Sequence, residues 1–169
     1  MTMQLGMIGL GRMGTGMVRR LLRDGHDCVV HDTDAARVDA LAAEGARGAA
    51  SLAELAAMLA APRAVWMMVP VARVDEVLTA LADVLEPGDV IVDGGNSHFL
   101  DDRRRAESLA ARGIAFLDVG TSGGVWGLER GYCLMIGGEA GDVARLEPAF
   151  RSLAPGAAAA PPTPARAEI

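Results

Sequence analysis

The sequence contains no lysine: all 16 of its basic side chains are arginine. An amine that forms a Schiff base or acts as a general base is therefore excluded within these 169 residues. Aromatic residues make up only 4% of the chain, and its two cysteines, Cys28 and Cys133, lie far apart without CxxC spacing. That pattern supplies neither a disulfide framework nor a metal site, and it predicts two free thiols buried in apolar runs, as suits a reducing compartment. Long hydrophobic runs are missing as well. The longest, Ala64 to Ala72, is framed by Arg63 and Arg73, whereas a membrane helix needs about 20 apolar residues. Basic clusters are absent apart from Arg103-Arg104-Arg105 beside Asp101-Asp102, and the net charge is -6, which argues against both nucleic acid and membrane as partners. Leu5 to Leu10 has no basic residue before it, so it does not read as a signal peptide, and a cytoplasmic location is expected.

What is present is a chain of 51% hydrophobic residues in which short apolar runs alternate with stretches of helical spacing. Strands are expected at Gln4 to Ile8, Cys28 to His31, Ala64 to Val69, Val90 to Val92, Ala115 to Val119 and Tyr132 to Ile136, all with parallel neighbours. Helices are expected at Met13 to Arg23, Asp34 to Glu44, Leu52 to Leu59, Val74 to Leu85, Leu100 to Arg112 and Gly141 to Leu153. Ser51 followed by Glu54 reads as a capping box, and Gly25, Gly45 and Gly113 stand where helix ends need a left-handed residue. Right-handed crossovers then imply an α/β fold, a doubly wound parallel sheet of the Rossmann-like kind, with ligands bound at the carboxyl ends of the strands. A single domain over 1–154 is expected, followed over 155–169 by an Ala/Pro-rich tail or linker that should be flexible.

The first strand runs into Gly9-Leu10-Gly11-Arg12-Met13-Gly14, a GxGxxG placed where a strand must turn into a helix. In such a turn Gly9 permits the bend, Gly11 lets a pyrophosphate approach the backbone and Gly14 lets helix and strand pack closely. The alternative is that the glycines serve the turn alone. The second strand ends at Asp32, 18 residues after Gly14, where a carboxylate would accept hydrogen bonds from adenosine ribose hydroxyls and repel a 2'-phosphate. NAD is the expected cofactor, with Arg37 close enough to keep NADP open; the bland reading makes Asp32 or Asp34 a helix cap. Two further loops fall on the same edge, Asp93-Gly94-Gly95-Asn96-Ser97 and Asp118-Val119-Gly120-Thr121-Ser122-Gly123-Gly124. Both read either as donors for an anionic or polyol ligand or as tight strand-to-helix turns.

These segments resemble the amino-terminal domain of decarboxylating 6-phosphogluconate dehydrogenase, in its short NAD-type bacterial branch. The carrying motifs are IGLGRMG at 8 to 14, VDGGNS at 92 to 97 and DVGTSGGVWGLERGYCLMIGG at 118 to 138, and the likeness runs from about Met3 to Gly156. The resemblance implies that Gly9, Leu10, Gly11, Arg12, Met13 and Gly14 surround the pyrophosphate and nicotinamide, that Asp32 holds the ribose, and that Pro70, Val71 and Ala72 touch the cofactor. It implies that Asn96 contacts both nicotinamide ribose and substrate, and that Ser122, Gly123 and Gly124 hold a phosphorylated sugar acid. The wider β-hydroxyacid dehydrogenase group shares GLGxMG and an SGG loop but not, as a rule, the DGGNS segment. Two departures stand out: Gly16 where the family often has Asn, and Val71-Ala72 where it usually has a glycine.

The family's reaction needs a Lys base and a Glu acid from a helical second domain, which this sequence is not expected to contain, so no catalytic residue is assigned. A helical domain elsewhere, a homodimer partner, or a non-catalytic dinucleotide module docking on another chain are the arrangements left open. His26 and His31 read as structural, His98 as a loop histidine with a possible place in the pocket, and Asp93 and Asp118 as acceptors for nearby backbone donors.

Overall fold

A computed structural model describes residues 2–156. The expected tail therefore lies, from residue 157 onward, outside the described residues. Seven strands form one sheet: β1 (Gln4–Ile8), β2 (Asp27–His31), β3 (Arg47–Gly48), β4 (Ala64–Met67), β5 (Val90–Asp93), β6 (Ala115–Ser122) and β7 (Cys133–Gly137). The helices are α1 (Arg12–Arg23), α2 (Ala35–Ala43), α3 (Leu52–Met58), α4 (Val74–Ala82), α5 (Phe99–Ala110), α6 (Gly127–Arg130) and α7 (Ala140–Leu153). The strand order β3-β2-β1-β4-β5-β6-β7 makes the chain wind outward from β1 and then cross back to β4 on its other side. This is the doubly wound arrangement, and β1 and β4 flank its switch point.

Alternation along each strand divides the core between the two faces. Leu5, Met7, Cys28, Val30, Trp66, Val90 and Val92 point toward α1, α2 and α7, while Ile8, Val29, Val65, Met67 and Ile91 meet α3, α4 and α5. Helix ends follow the local chemistry. Ser51 accepts from the Glu54 N–H at 3.1 Å and the Glu54 carboxylate accepts from the Ala50 N–H at 2.7 Å, a capping box displaced by one residue at its return bond. Gly25, Gly45 and Gly113 all adopt positive φ after their helices.

Three expectations need correction. The final strand is antiparallel to β6, with Ser122 opposite Cys133. Only ten residues separate the two strands, fewer than the dozen or so that a parallel crossover needs, so the chain reverses instead. Those ten include α6, which is too short to show a period. Cys133 is exposed, whereas Cys28 is buried: β7 is the sheet edge, and only partly buried Leu134 of that strand meets the core. The two-residue β3 escaped notice for the same reason as α6.

His26 ties the residue before β1 to the last turn of α7. Its Nδ1 accepts from the Met3 N–H at 3.2 Å, which leaves the proton on Nε2 to donate to Ser152 Oγ at 2.9 Å. Burial lowers its pKa, ahead of the raising effect of Asp24. Protonating Nδ1 would set two donors face to face. Because the folded-state pKa is depressed, this contribution is complete above the unfolded value of about 6.5 and is lost as pH falls toward the folded value. Thermal unfolding between about pH 7 and pH 5 should show a steeper fall in midpoint for the wild type than for His26→Gln. Equal slopes would reject the assignment.

Candidate functional site

A cleft of about 970 Å³ opens at the carboxyl ends of the strands, over the switch point between β1 and β4. Its size lies at the top of the roughly 300–1,000 Å³ range usual for small-molecule sites. The glycine turn forms its floor, and each glycine answers a different steric demand. Gly9 adopts φ +89° with its Cα against the Met68 carbonyl, where a Cβ would stand 2.5 Å from the oxygen; at Gly14 a Cβ would collide with the Gly9 carbonyl. At Gly11 a Cβ would meet nothing within 4 Å, because that position faces open space.

Gly11 is the N-cap of α1 and offers no side chain to cap it. The first-turn amides of this twelve-residue helix therefore have no side-chain acceptor from their own cap, at the positive end of the helix dipole. Arg12 and Met13 line the cleft beside them. Leu10 does not: its side chain is in the core, and its N–H donates to Asp32 Oδ2 at 2.6 Å. The other Asp32 oxygen accepts from the Asp34 N–H at 2.8 Å. Asp34, not Asp32, caps α2 through the Ala36 N–H. Arg37 sits over both acids, 3.8 Å from Asp32 and 3.2 Å from Asp34, and lines the cleft with Thr33.

The opposite wall comes from the loop after β4 and from the second glycine loop. Pro70 and Val71 face the cleft and Ala72 does not; Arg73, Glu76 and Val77, from the turn after Pro70 and from α4, complete that side. Gly94, Gly95 and Asn96 lie across from the glycine turn. Their loop is held by Asp93, which is fully buried and accepts from the Gly95 N–H at 2.9 Å and from Ser97 Oγ at 2.6 Å. Behind it Arg105 stands 3.9 Å from Asp93 and 2.9 Å from Asp102. Burial pushes the Asp102 carboxyl up against the opposing bond from Arg105, and burial with the neighbouring Asp102 and Asp93 pushes Asp118 up. Asp118, half-buried, is not tied to a backbone donor among the described residues, contrary to expectation. At the end of β6, Thr121 reaches the cleft. Ser122, Gly123 and Gly124 stand just beyond it, outside the lining.

Of the histidines, His31 bonds the Ala49 carbonyl at 2.9 Å and lines the cleft beside Asp32. His98 is exposed and caps α5 by accepting from the Leu100 N–H at 3.4 Å. Residues not singled out from the sequence, among them Thr33, Met68, Glu76 and Val77, carry no motif; Thr33 and Met68 adjoin positions that do. Among the described residues, no group of three His, Cys, Asp or Glu side chains is placed to hold a metal, and no helix is long and apolar enough to cross a membrane.

The glycine turn, the uncapped helix and the Asp32 carboxylate at a switch point define a Rossmann-type dinucleotide-binding domain. The family model described as the NAD binding domain of 6-phosphogluconate dehydrogenase matches residues 4–160, and the chain belongs to that family. An NAD(+)-dependent, decarboxylating 6-phosphogluconate dehydrogenase of Haloferax volcanii is 47% identical over 155 residues, covering 91% of this chain and 51% of that protein. A 3-hydroxyisobutyrate dehydrogenase of Mycobacterium tuberculosis superposes with TM-score 0.82 at 26% identity, over 91% of this chain and 53% of its own. The 6-phosphogluconate dehydrogenase of Plasmodium falciparum shares the fold, with TM-score 0.85 at 24% identity, over 94% of this chain and 35% of its own. The chain thus spans about half the length of the Haloferax volcanii protein and of a relative from Bacillus subtilis, 41% identical over 152 residues.

Substituting Asp32→Asn leaves one acceptor oxygen for the two backbone donors and removes the charge that would face a cofactor ribose. Calorimetry should show NAD binding weakened about tenfold, equivalent to about 1.4 kcal/mol, with a smaller change for NADP. Tighter binding of NADP than NAD by the wild type would overturn the role given to Asp32.

Proposed function

We propose that this chain is the dinucleotide-binding half of an NAD-preferring oxidoreductase that converts 6-phosphogluconate to ribulose 5-phosphate and carbon dioxide. The observation that carries the reading is the meeting of two loops at one cleft: the Gly9–Gly14 turn forms its floor and the Gly94–Asn96 loop, locked by Asp93, a wall. NAD, when bound, accepts a hydride from the sugar acid. The residues present fit it: the uncapped amino end of α1 suits a pyrophosphate, Gly11 leaves the approach open, and Asp32 offers its carboxylate to the ribose hydroxyls.

Met13, Pro70 and Val71 would frame the nicotinamide, and Ala72 and Leu10 would support the two turns from behind. Asn96 is exposed into the cleft, where its amide can donate to a nicotinamide ribose and to a substrate hydroxyl at once. Ser122, Gly123 and Gly124 would take the carboxylate or phosphate of the sugar acid as it extends past Thr121. Domain boundaries follow from the same reading: a binding domain over 1–154 and a linker beyond it, in a cytoplasmic enzyme that is completed by a second domain or by another copy.

The chemical step also needs a base and an acid, each worth about 10² to 10⁴ in rate. No lysine is present, Asp93 has both oxygens committed, and His98 is turned to a helix cap. A second reading, dehydrogenation of a smaller β-hydroxyacid, is favoured by the solved 3-hydroxyisobutyrate dehydrogenases, one of which, from Salmonella typhimurium, is 30% identical with TM-score 0.81. The Asp93–Ser97 segment weighs against it.

Purified chain titrated with NAD and then with 6-phosphogluconate should bind both, the sugar acid weakly, and form no detectable NADH. Binding of 3-hydroxyisobutyrate in preference to 6-phosphogluconate would select the second reading. Substrate-dependent NADH that Asn96→Ala abolishes would show a base within this chain.

A further inference from the structure

Tyr132 precedes β7 with 1% of its surface exposed and donates its backbone N–H to the Leu153 carbonyl at 2.8 Å. Its ring fills a slot walled by glycines from two separate segments, α1 and the Gly123–Gly127 turn. A Cβ on Gly16 of α1 would collide with the hydroxyl, one on Gly127 of α6 would collide with the ring, and one on Gly123 would stand 3.0 Å from Cδ1. The hydroxyl is buried without a hydrogen-bond partner. An unpaired buried hydroxyl is unfavourable, and so is a glycine inside a helix. Two unfavourable choices meet at one contact, so it is the shape of the wedge that this contact preserves.

The neighbouring bonds hold the same pieces together. The Arg20 guanidinium, one turn along α1 from Gly16, donates to the carbonyls of Leu128 at 3.1 Å, Ser152 at 3.2 Å and Ala154 at 3.1 Å. Helix α1, the α6 turn and the end of α7 therefore share one rigid junction, with the tyrosine ring inside it. The amino end of that same α1 lines the cleft, and the loop pressed by the ring begins next to Thr121, which also lines it.

We propose that Tyr132 is a positioning residue: wedged between Gly16 and the Gly123–Gly127 turn, its ring sets where the Ser122–Gly124 loop stands relative to the dinucleotide helix. The role given to that loop rests on the function proposed above. The ring touches no ligand and acts only through the loop.

The test exploits the glycine facing the hydroxyl. In the Tyr132→Phe background a Cβ at position 16 would meet as its nearest atoms Leu128 Cβ at 3.6 Å and the ring Cζ at 3.7 Å, which are ordinary contacts. Gly16→Ala should therefore lower the thermal midpoint in the wild type and raise it in the Tyr132→Phe background, where better helix propensity is no longer opposed. Hydrogen exchange over residues 122–131, which include the Trp126 and Gly131 N–H groups bonded to Gly123 and Gly127 at 3.1 and 2.9 Å, should quicken about tenfold in Gly16→Ala. It should return to the wild-type rate in Gly16→Ala/Tyr132→Phe, and Tyr132→Phe alone should not change it.

With NAD at saturation, affinity for 6-phosphogluconate should fall about tenfold in Gly16→Ala and recover in the double variant, while NAD affinity changes less than about twofold. Gly16→Ala acting with the same sign and size in both backgrounds would overturn the proposal, as would unchanged loop exchange. If stability and exchange follow the expected pattern but the wild type does not bind 6-phosphogluconate, the wedge stands and the assigned substrate falls.

Discussion

The structure depends on how closely three backbones meet where β1 ends. The Gly9 N–H donates to the His31 carbonyl at 3.0 Å, the Met68 N–H to the Ile8 carbonyl at 2.7 Å, and the Leu10 N–H to the Asp32 carboxylate at 2.6 Å. The ends of β1, β2 and β4 are thereby fixed in one plane, and the next elements must leave it on opposite faces. A cleft at that point is the space the diverging crossovers leave. Gly9 and Gly14 permit the approach because a side chain at either would strike a carbonyl group. Asp32 is part of the same clamp, since its oxygens hold the Leu10 and Asp34 amides before any ribose arrives.

The second wall is built on buried charge. Asp93 is fully buried, an arrangement that costs several kcal/mol unless hydrogen bonds and a counter-charge offset it. The Gly95 amide and the Ser97 hydroxyl supply the bonds, and Arg105, which also bonds Asp75 at 2.8 Å and Asp102 at 2.9 Å, supplies the charge. One guanidinium shared among these acids leaves Asp102 and Asp118 held toward their protonated forms by burial. The loop carrying Asn96 is thus fixed from the core outward, through a helix that itself contributes no residue to the cleft.

Much of this could be read from the chain because its causes are local. Short, continuously apolar runs marked six of the seven strands, and glycines following a strand marked the turn. Glycines after helices marked three helix ends, Gly25, Gly45 and Gly113. What escaped has causes that are not local. The reversal of β7 follows from a connection too short to cross the sheet, and the exposure of Cys133 from its place on the edge strand, which among the described residues is left largely uncovered. The wall made by Glu76 and Val77 is set by how α4 packs, and Gly16 gains its reason only when Tyr132, far along the chain, is folded against it. The family resemblance named the loops but could not say that Ser122–Gly124 would stand outside the cleft lining and Thr121 inside it.

The character of the cleft also bears on what its charges can contribute. Val71, Phe99, Leu100 and Trp126 are large apolar side chains left exposed, and Val71 lies in the cleft lining itself. Water therefore reaches the cleft at Val71 and at Asn96, which is exposed as well. A phosphate or carboxylate held there by exposed donors keeps most of its hydration and gains little specific binding, on the order of 0–1 kcal/mol per exposed ion pair. Preorganised dipoles are worth far more once solvent is excluded. At the floor the balance is different, because the α1 amides and the Asp32 carboxylate are rigid parts of the fold and need no reorganisation to meet a dinucleotide. Cofactor binding can thus be a property of this domain alone, whereas on the function proposed above tight substrate binding and turnover would require that the exposed side be covered by a surface that shuts out water and brings a base.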